Sequence, residues 1–129
     1  MNRVFILLIS LFISSTAYSE FQFITTNADL DEIYYIDISS LDKVENNHKT
    51  VKVLINYQNG FMTENGSLAF SAIEENLYDC TKDTVENNFI EYYEKTNGRG
   101  DMVFKNDELA ELFVNFDTPE YTIKEKICG

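Results

Sequence analysis

Hydrophobic and polar residues alternate most regularly in Lys49-Thr50-Val51-Lys52-Val53-Leu54-Ile55-Asn56-Tyr57, which places Val51, Val53, Ile55 and Tyr57 on one side. Successive side chains of a strand point to opposite faces, so this spacing predicts a half-buried strand. Glu32-Ile33-Tyr34-Tyr35-Ile36-Asp37-Ile38 is rich in β-branched and aromatic residues. Ser39-Ser40-Leu41-Asp42 is expected to stop it, because short polar side chains compete for backbone hydrogen bonds. Phe21 to Thr26 reads as a short first strand, and Leu68, Phe70 and Ala72 align in another. There the apolar phase moves to Ile73 and Leu77, which suggests a bulge near Ile73 or Glu74. Thr84 to Thr96 fits a strand or a helix by period alone. The turn Asn97-Gly98-Arg99-Gly100-Asp101 and the β-rich Met102-Val103-Phe104 behind it favour a hairpin. Asn59 to Ser67, with two Asn-Gly pairs, is expected to be a mobile loop.

The last segment reads as a helix. Thr118 is placed to cap it, Pro119 occupies the first turn where a missing N–H costs nothing, Glu120 complements the dipole, and Gly129 suits a left-handed terminus. Ile123 and Ile127 are four residues apart with Cys128 beside them. The fold class is therefore α+β: an antiparallel sheet of about five or six strands with a C-terminal helix on one face, leaving the other face wet.

The first nineteen residues have a different pattern. Arg3 is followed by an apolar run from Val4 to Ile13 and a small-residue exit, Ser14-Ser15-Thr16-Ala17-Tyr18-Ser19. This is the three-part order of a signal peptide, and the run is about half of the roughly 20 residues a bilayer span needs. A buried N-terminal helix or strand is the alternative reading. With Ala17 and Ser19 small, cleavage is expected before Glu20, which divides the chain into a leader, 1–19, and one domain, 20–129. No cysteine lies near the cut, so no lipid anchor is expected and the product goes to the periplasm or cell exterior. Export makes the two cysteines interpretable: a single intramolecular pair, Cys80 with Cys128, would tie the helix to the sheet. Closing a loop of about 49 residues contributes roughly 4 kcal/mol by chain entropy. A two-cysteine metal or redox site would want CxxC spacing or histidine partners, which are missing.

Composition narrows the partners. The 129 residues carry 22 acidic against 10 basic side chains, a net charge of -12, and removing Arg3 with a leader would make it one unit more negative. Association with nucleic acid or an anionic membrane would add repulsion where such binders gain counterion release. A hydrophobic content of 44% is too high for a disordered acidic tail.

The order Tyr34-Tyr35-Ile36-Asp37 and Ser40-Leu41, the strand Val51 to Tyr57, Ser71 leading to Tyr78-Asp79-Cys80, Tyr92-Tyr93 with Gly98-Arg99-Gly100, and a closing helix with Cys128 resembles the bacterial surface-adhesin protein E family. The resemblance covers about residues 20–129. It implies an exported antiparallel sheet with the helix tied on by a disulfide, and an adhesin that binds host matrix or serum proteins. Phe21 or Phe23 and Phe113 stand where family members often carry tryptophan.

Candidate chemistry is sparse. Arg99-Gly100-Asp101 is the tripeptide integrins read, on an expected hairpin tip, although the turn already accounts for its glycines. Tyr34-Tyr35 and Tyr92-Tyr93 must each divide between the two faces of a strand, so Tyr35, Tyr92 and Tyr93 are candidate protein-binding residues; covering the sheet is their other duty. His48 is the only histidine, in a turn, and the acidic groups Asp29-Asp31-Glu32, Glu74-Glu75 and Asp107-Glu108-Glu111 have no calcium-loop spacing, so no metal is expected. No nucleophile elbow, triad order or phosphate-cradling loop is present, so neither catalysis nor a cofactor is expected. The leading function is an exported, non-enzymatic protein-binding module whose partner is a host matrix or serum protein, or an envelope protein; a second copy of the chain is also allowed. The alternative is a periplasmic immunity or inhibitor protein that neutralises a basic exported toxin through electrostatic steering. An envelope-structural factor is a third class.

Overall fold

The structure, a computed structural model, describes residues 21–44, 47–108 and 110–129. The segment read as a signal peptide, 1–19, lies outside the described residues. Seven strands are present among the described residues, namely β1 (Phe21–Asn27), β2 (Glu32–Val44), β3 (His48–Met62), β4 (Leu68–Asp79), β5 (Thr84–Tyr93), β6 (Met102–Asn106) and β7 (Ala110–Phe113), followed by helix α1 (Pro119–Cys128). They form one antiparallel sheet in the order β1-β2-β3-β4-β5-β6, with β7 also paired to β5. β6 meets Ile90 to Tyr93 and β7 meets Thr84 to Asn87, so the two short strands divide one edge of β5. β7 is the strand beyond the expected five or six.

The inner face carries the core. Tyr34 and Ile36 of β2, Val51, Val53, Ile55 and Tyr57 of β3, Ala72 and Tyr78 of β4 and Val85 of β5 are buried together with Ile123 and Ile127 of α1. Burying each large apolar side chain removes about 1.5–3 kcal/mol of exposure cost, which is what holds the helix to the sheet. Thr118 accepts the Tyr121 N–H, and the Gly129 N–H closes on the Glu125 carbonyl, so both ends of α1 are capped as the sequence indicates. The Cys80–Cys128 disulfide fastens the last turn. Two lysines add to it: Lys49 Nζ donates to the Ile127 carbonyl at 2.8 Å, and Lys124 Nζ donates to the Lys82 carbonyl at 2.6 Å.

Three local expectations are corrected. The Ser39-Ser40 pair does not end β2; it makes an irregularity between Asp37 and Asp42, after which pairing resumes. The side chains do intercept the backbone as expected, since the Ser40 hydroxyl donates to the Asp37 carbonyl and accepts the Lys52 N–H. β4 has no bulge near Ile73 or Glu74: its register against β3 is unbroken from Ser71 to Asp79, and the slip lies opposite Glu75 and Asn76, where β5 holds the extra residue Asn88. The inward positions are simply occupied by polar residues, with Glu74 and Asn76 buried between Ala72 and Tyr78. Finally, the first four residues of the stretch from Asn59 to Ser67 are strand. β3 continues to Met62 after a break in register, and the remaining turn is tied by the Thr63 N–H to the Ser67 carbonyl and the Gly66 N–H to the Thr63 carbonyl.

Candidate functional site

The outer face of the sheet begins with Phe23, Tyr35, Leu54 and Ile73, which are register partners across β1 to β4. Phe23 and Tyr35 meet edge to face with ring centroids 6.2 Å apart, and Phe23 is 61% exposed. An aromatic anchor in water on an otherwise acidic molecule is the kind of group that protein interfaces bury.

The middle of this face is covered by the β5–β6 connection. Asn56 Nδ2 donates to Asn97 Oδ1 and Asn56 Oδ1 accepts the Asn97 N–H, each at 2.8 Å. The Ser71 hydroxyl donates to the Lys95 carbonyl and accepts the Gly98 N–H. Gly98 is needed at this closeness, because its φ is +69° and a Cβ would stand 2.8 Å from Ile73 Cδ1. The expected hairpin is therefore present, with its turn folded back onto the sheet instead of projecting. Arg99 and Asp101 are exposed there, and the Arg99 Nε donates to the Thr96 carbonyl at 3.2 Å.

The candidate residues thus separate. Tyr35, Tyr93 and the turn bearing Arg99 and Asp101 belong to the outer face, whereas Tyr92 faces the core and packs against it. Tyr93 lies opposite Ser71, and its hydroxyl donates to Glu91 Oε1 at 3.3 Å. Two features escaped the sequence reading. Phe23 is an exposed ring of this face, and only the register of β1 against β2 reveals its partnership with Tyr35. The other is Glu74, which strict alternation along β4 from Ala72 points inward.

On that inner face Glu74 is 7% exposed, and Asn76 Nδ2 donates to its Oε1 at 3.1 Å. Burial pushes its carboxyl up to about 7; the Asn76 hydrogen bond opposes this, and the nearby Glu120 and Glu32 carboxylates reinforce it. Burial likewise raises Glu32, whose Oε1 accepts from the Tyr34 hydroxyl at 2.8 Å. Nearby runs a row of rings. Tyr57 and Phe61 stack at 5.1 Å, Phe61 and Tyr92 at 5.3 Å with planes 5° apart, and Phe104 follows at 6.0 Å. His48 Nε2 lies 3.4 Å from Asp79, which Thr81 holds below the ordinary carboxylate range through two hydrogen bonds. Among the described residues, no group of three or more histidines, cysteines or carboxylates is arranged to hold a metal ion, and no helix is long and apolar enough to cross a membrane.

Comparison with known proteins follows the same outline. The family model described as surface-adhesin protein E matches residues 21–129. The structure of Haemophilus influenzae protein E is similar to this chain with 19% identity and a TM-score of 0.62, over 88% of this chain and 86% of that one. Its selenomethionine form gives 20% identity and 0.63 over 89% of each. Protein E from non-typeable Haemophilus influenzae gives 17% and 0.59, over 89% of this chain and 78% of that one. No curated protein sequence matches the chain.

Proposed function

The chain belongs to the surface-adhesin protein E family, and from that premise we propose that it is an exported, non-enzymatic module that binds another protein through the sheet face turned away from its helix. The observation that carries this reading is the Phe23–Tyr35 pair, with Phe23 61% exposed on the same face as the folded-back turn of Arg99 and Asp101. Flat aromatic surface at low conformational cost is what binding hot spots are made of. The disulfide supports export, since such bonds persist in oxidising compartments, and the segment 1–19 is its leader. Host matrix and serum proteins are the partners that the adhesin role brings forward. The test is affinity capture by the full exported chain from solubilised basement-membrane matrix and from serum. Retention of a defined protein that Phe23→Ser with Tyr35→Ser abolishes is the expected result; equal retention by the variant overturns the assignment of this face.

A second reading rests on charge. At -12 the molecule attracts basic proteins over distance, which suits an inhibitor of a basic exported toxin. Capture that survives 0.5 M salt favours the aromatic face, and capture lost there favours steering.

A further inference from the structure

The β3–β4 hairpin does not lie flat. Between Asn56 and Phe61 its register against β4 slips, and beyond that slip the Phe61 ring stacks on Tyr92, a residue of β5. The hairpin turn is held in this position by Asn65 Nδ2, which donates to the Val103 carbonyl of β6, and by the buried Thr63, whose hydroxyl accepts the Ser67 N–H. A cavity of about 170 Å³ remains between the turn and β5–β6. Phe61, Tyr92 and Phe104 give it three aromatic walls, Met62 a soft one, Glu64 a carboxylate and Asn106 an amide.

We propose that this cavity accepts one basic side chain, arginine or lysine, from the surface of a partner protein. The inference rests on the protein-binding reading and adds to its outer-face contact a second one, on the inner face, whose chemistry it names. Three observations carry it. Small-molecule pockets typically hold roughly 300–1,000 Å³, so the space suits one inserted side chain better than a free ligand. Its lining joins aromatic rings to a carboxylate and contains no lysine or arginine, a combination that favours a cation while covering its aliphatic stem. The chain already uses this chemistry on its other face, where Lys105 Nζ lies 5.4 Å from the centre of the Phe89 ring and 3.9 Å from Glu91. The surrounding field agrees: besides burial, the Glu74, Glu64 and Glu32 carboxylates all push the Tyr92 hydroxyl upward, so the site lies in negative potential. Glu64, at the exposed turn, adds specificity for charge, and the prearranged rings require little ordering on binding.

The experiment titrates the full chain with N-acetyl-arginine methylamide and with its uncharged counterpart N-acetyl-norleucine methylamide, reading aromatic proton and carbon shifts of Phe61, Tyr92 and Phe104. The expected result is a saturating shift of these three rings with the arginine probe alone. It weakens about threefold in Glu64→Gln and about fivefold in Phe104→Leu, with the far-ultraviolet spectrum unchanged. Equal binding of norleucine, shifts centred elsewhere, or no saturation overturns the proposal. No partner protein takes part, so failure here with successful affinity capture removes only the pocket, while failed capture with a working pocket removes only the outer-face reading.

Discussion

Replacing Glu74 by glutamine removes an ionisable carboxyl that the fold buries on its inner face, and the consequence depends on pH in a calculable way. Glu74 keeps its proton up to about pH 7 in the folded chain, against an ordinary value of 4.5. Between those values the folded state holds a proton that the unfolded state has lost. Stability therefore falls as pH rises through that window, and the loss is complete above about 7. At about 1.4 kcal/mol per tenfold change in proton affinity, the cost of ionising Glu74 reaches at most about 3 kcal/mol by pH 8. The glutamine keeps an oxygen for Asn76 Nδ2 and is neutral at every pH. Urea unfolding followed by circular dichroism at pH 5 and pH 8 measures the difference. The variant is expected to exceed the parent by no more than about 1 kcal/mol at pH 5 and by up to about 3 kcal/mol at pH 8, a gain of roughly 10 °C in Tm. Glu32 titrates in the same direction and Asp79 in the opposite one at lower pH, but both are common to parent and variant. Parallel pH profiles for the two chains would refute the reasoning.

Further expectations follow from other contacts. Reducing the Cys80–Cys128 bond, or changing both cysteines to serine, should lower unfolding free energy by roughly 4 kcal/mol and raise hydrogen exchange first in α1; exchange unchanged in the helix would contradict the tether. Gly98→Ala should cost more than about 1 kcal/mol in thermal unfolding, because it joins a positive φ to a 2.8 Å approach to Ile73, and an unchanged Tm would show that the turn does not press on the sheet. Ile123→Ala, at the centre of the helix contact, should cost about 2–5 kcal/mol by urea unfolding, and a cost under 1 kcal/mol would place the helix elsewhere. Thr118→Ala should cost about 1 kcal/mol, read from the same unfolding curves, and no change would deny it the capping role.

The elements legible in the sequence are those whose signals are local. β3 shows its alternation because Val51, Val53, Ile55 and Tyr57 all face the core. The helix shows its caps because Thr118, Pro119 and Gly129 act on their immediate neighbours, and the disulfide follows from having two cysteines to pair. What stayed hidden depends on distant partners. β7 has four residues, all exposed, and is a strand because β5 offers a free half-edge. The apolar phase of β4 is obscured because Glu74 and Asn76 are buried polar residues made tolerable by hydrogen bonding to each other. The turn of Arg99 to Asp101 was placed correctly, but its folding back onto the sheet depends on Asn56 and Ser71, about thirty to forty residues upstream. The aromatic cavity was invisible for the same reason, since Phe61 sits in what reads as a loop until the bend in β3 lays it on Tyr92.

The most direct test of the central claim is hydrogen exchange of the full chain, free and bound to the matrix or serum protein that it captures. An outer-face interface produces new protection in β1, in the β2 segment around Tyr35 and in the 95–101 turn, with α1 unchanged. Protection confined to α1 and the inner face, with Phe23 and Tyr35 exchanging as in the free chain, would contradict it.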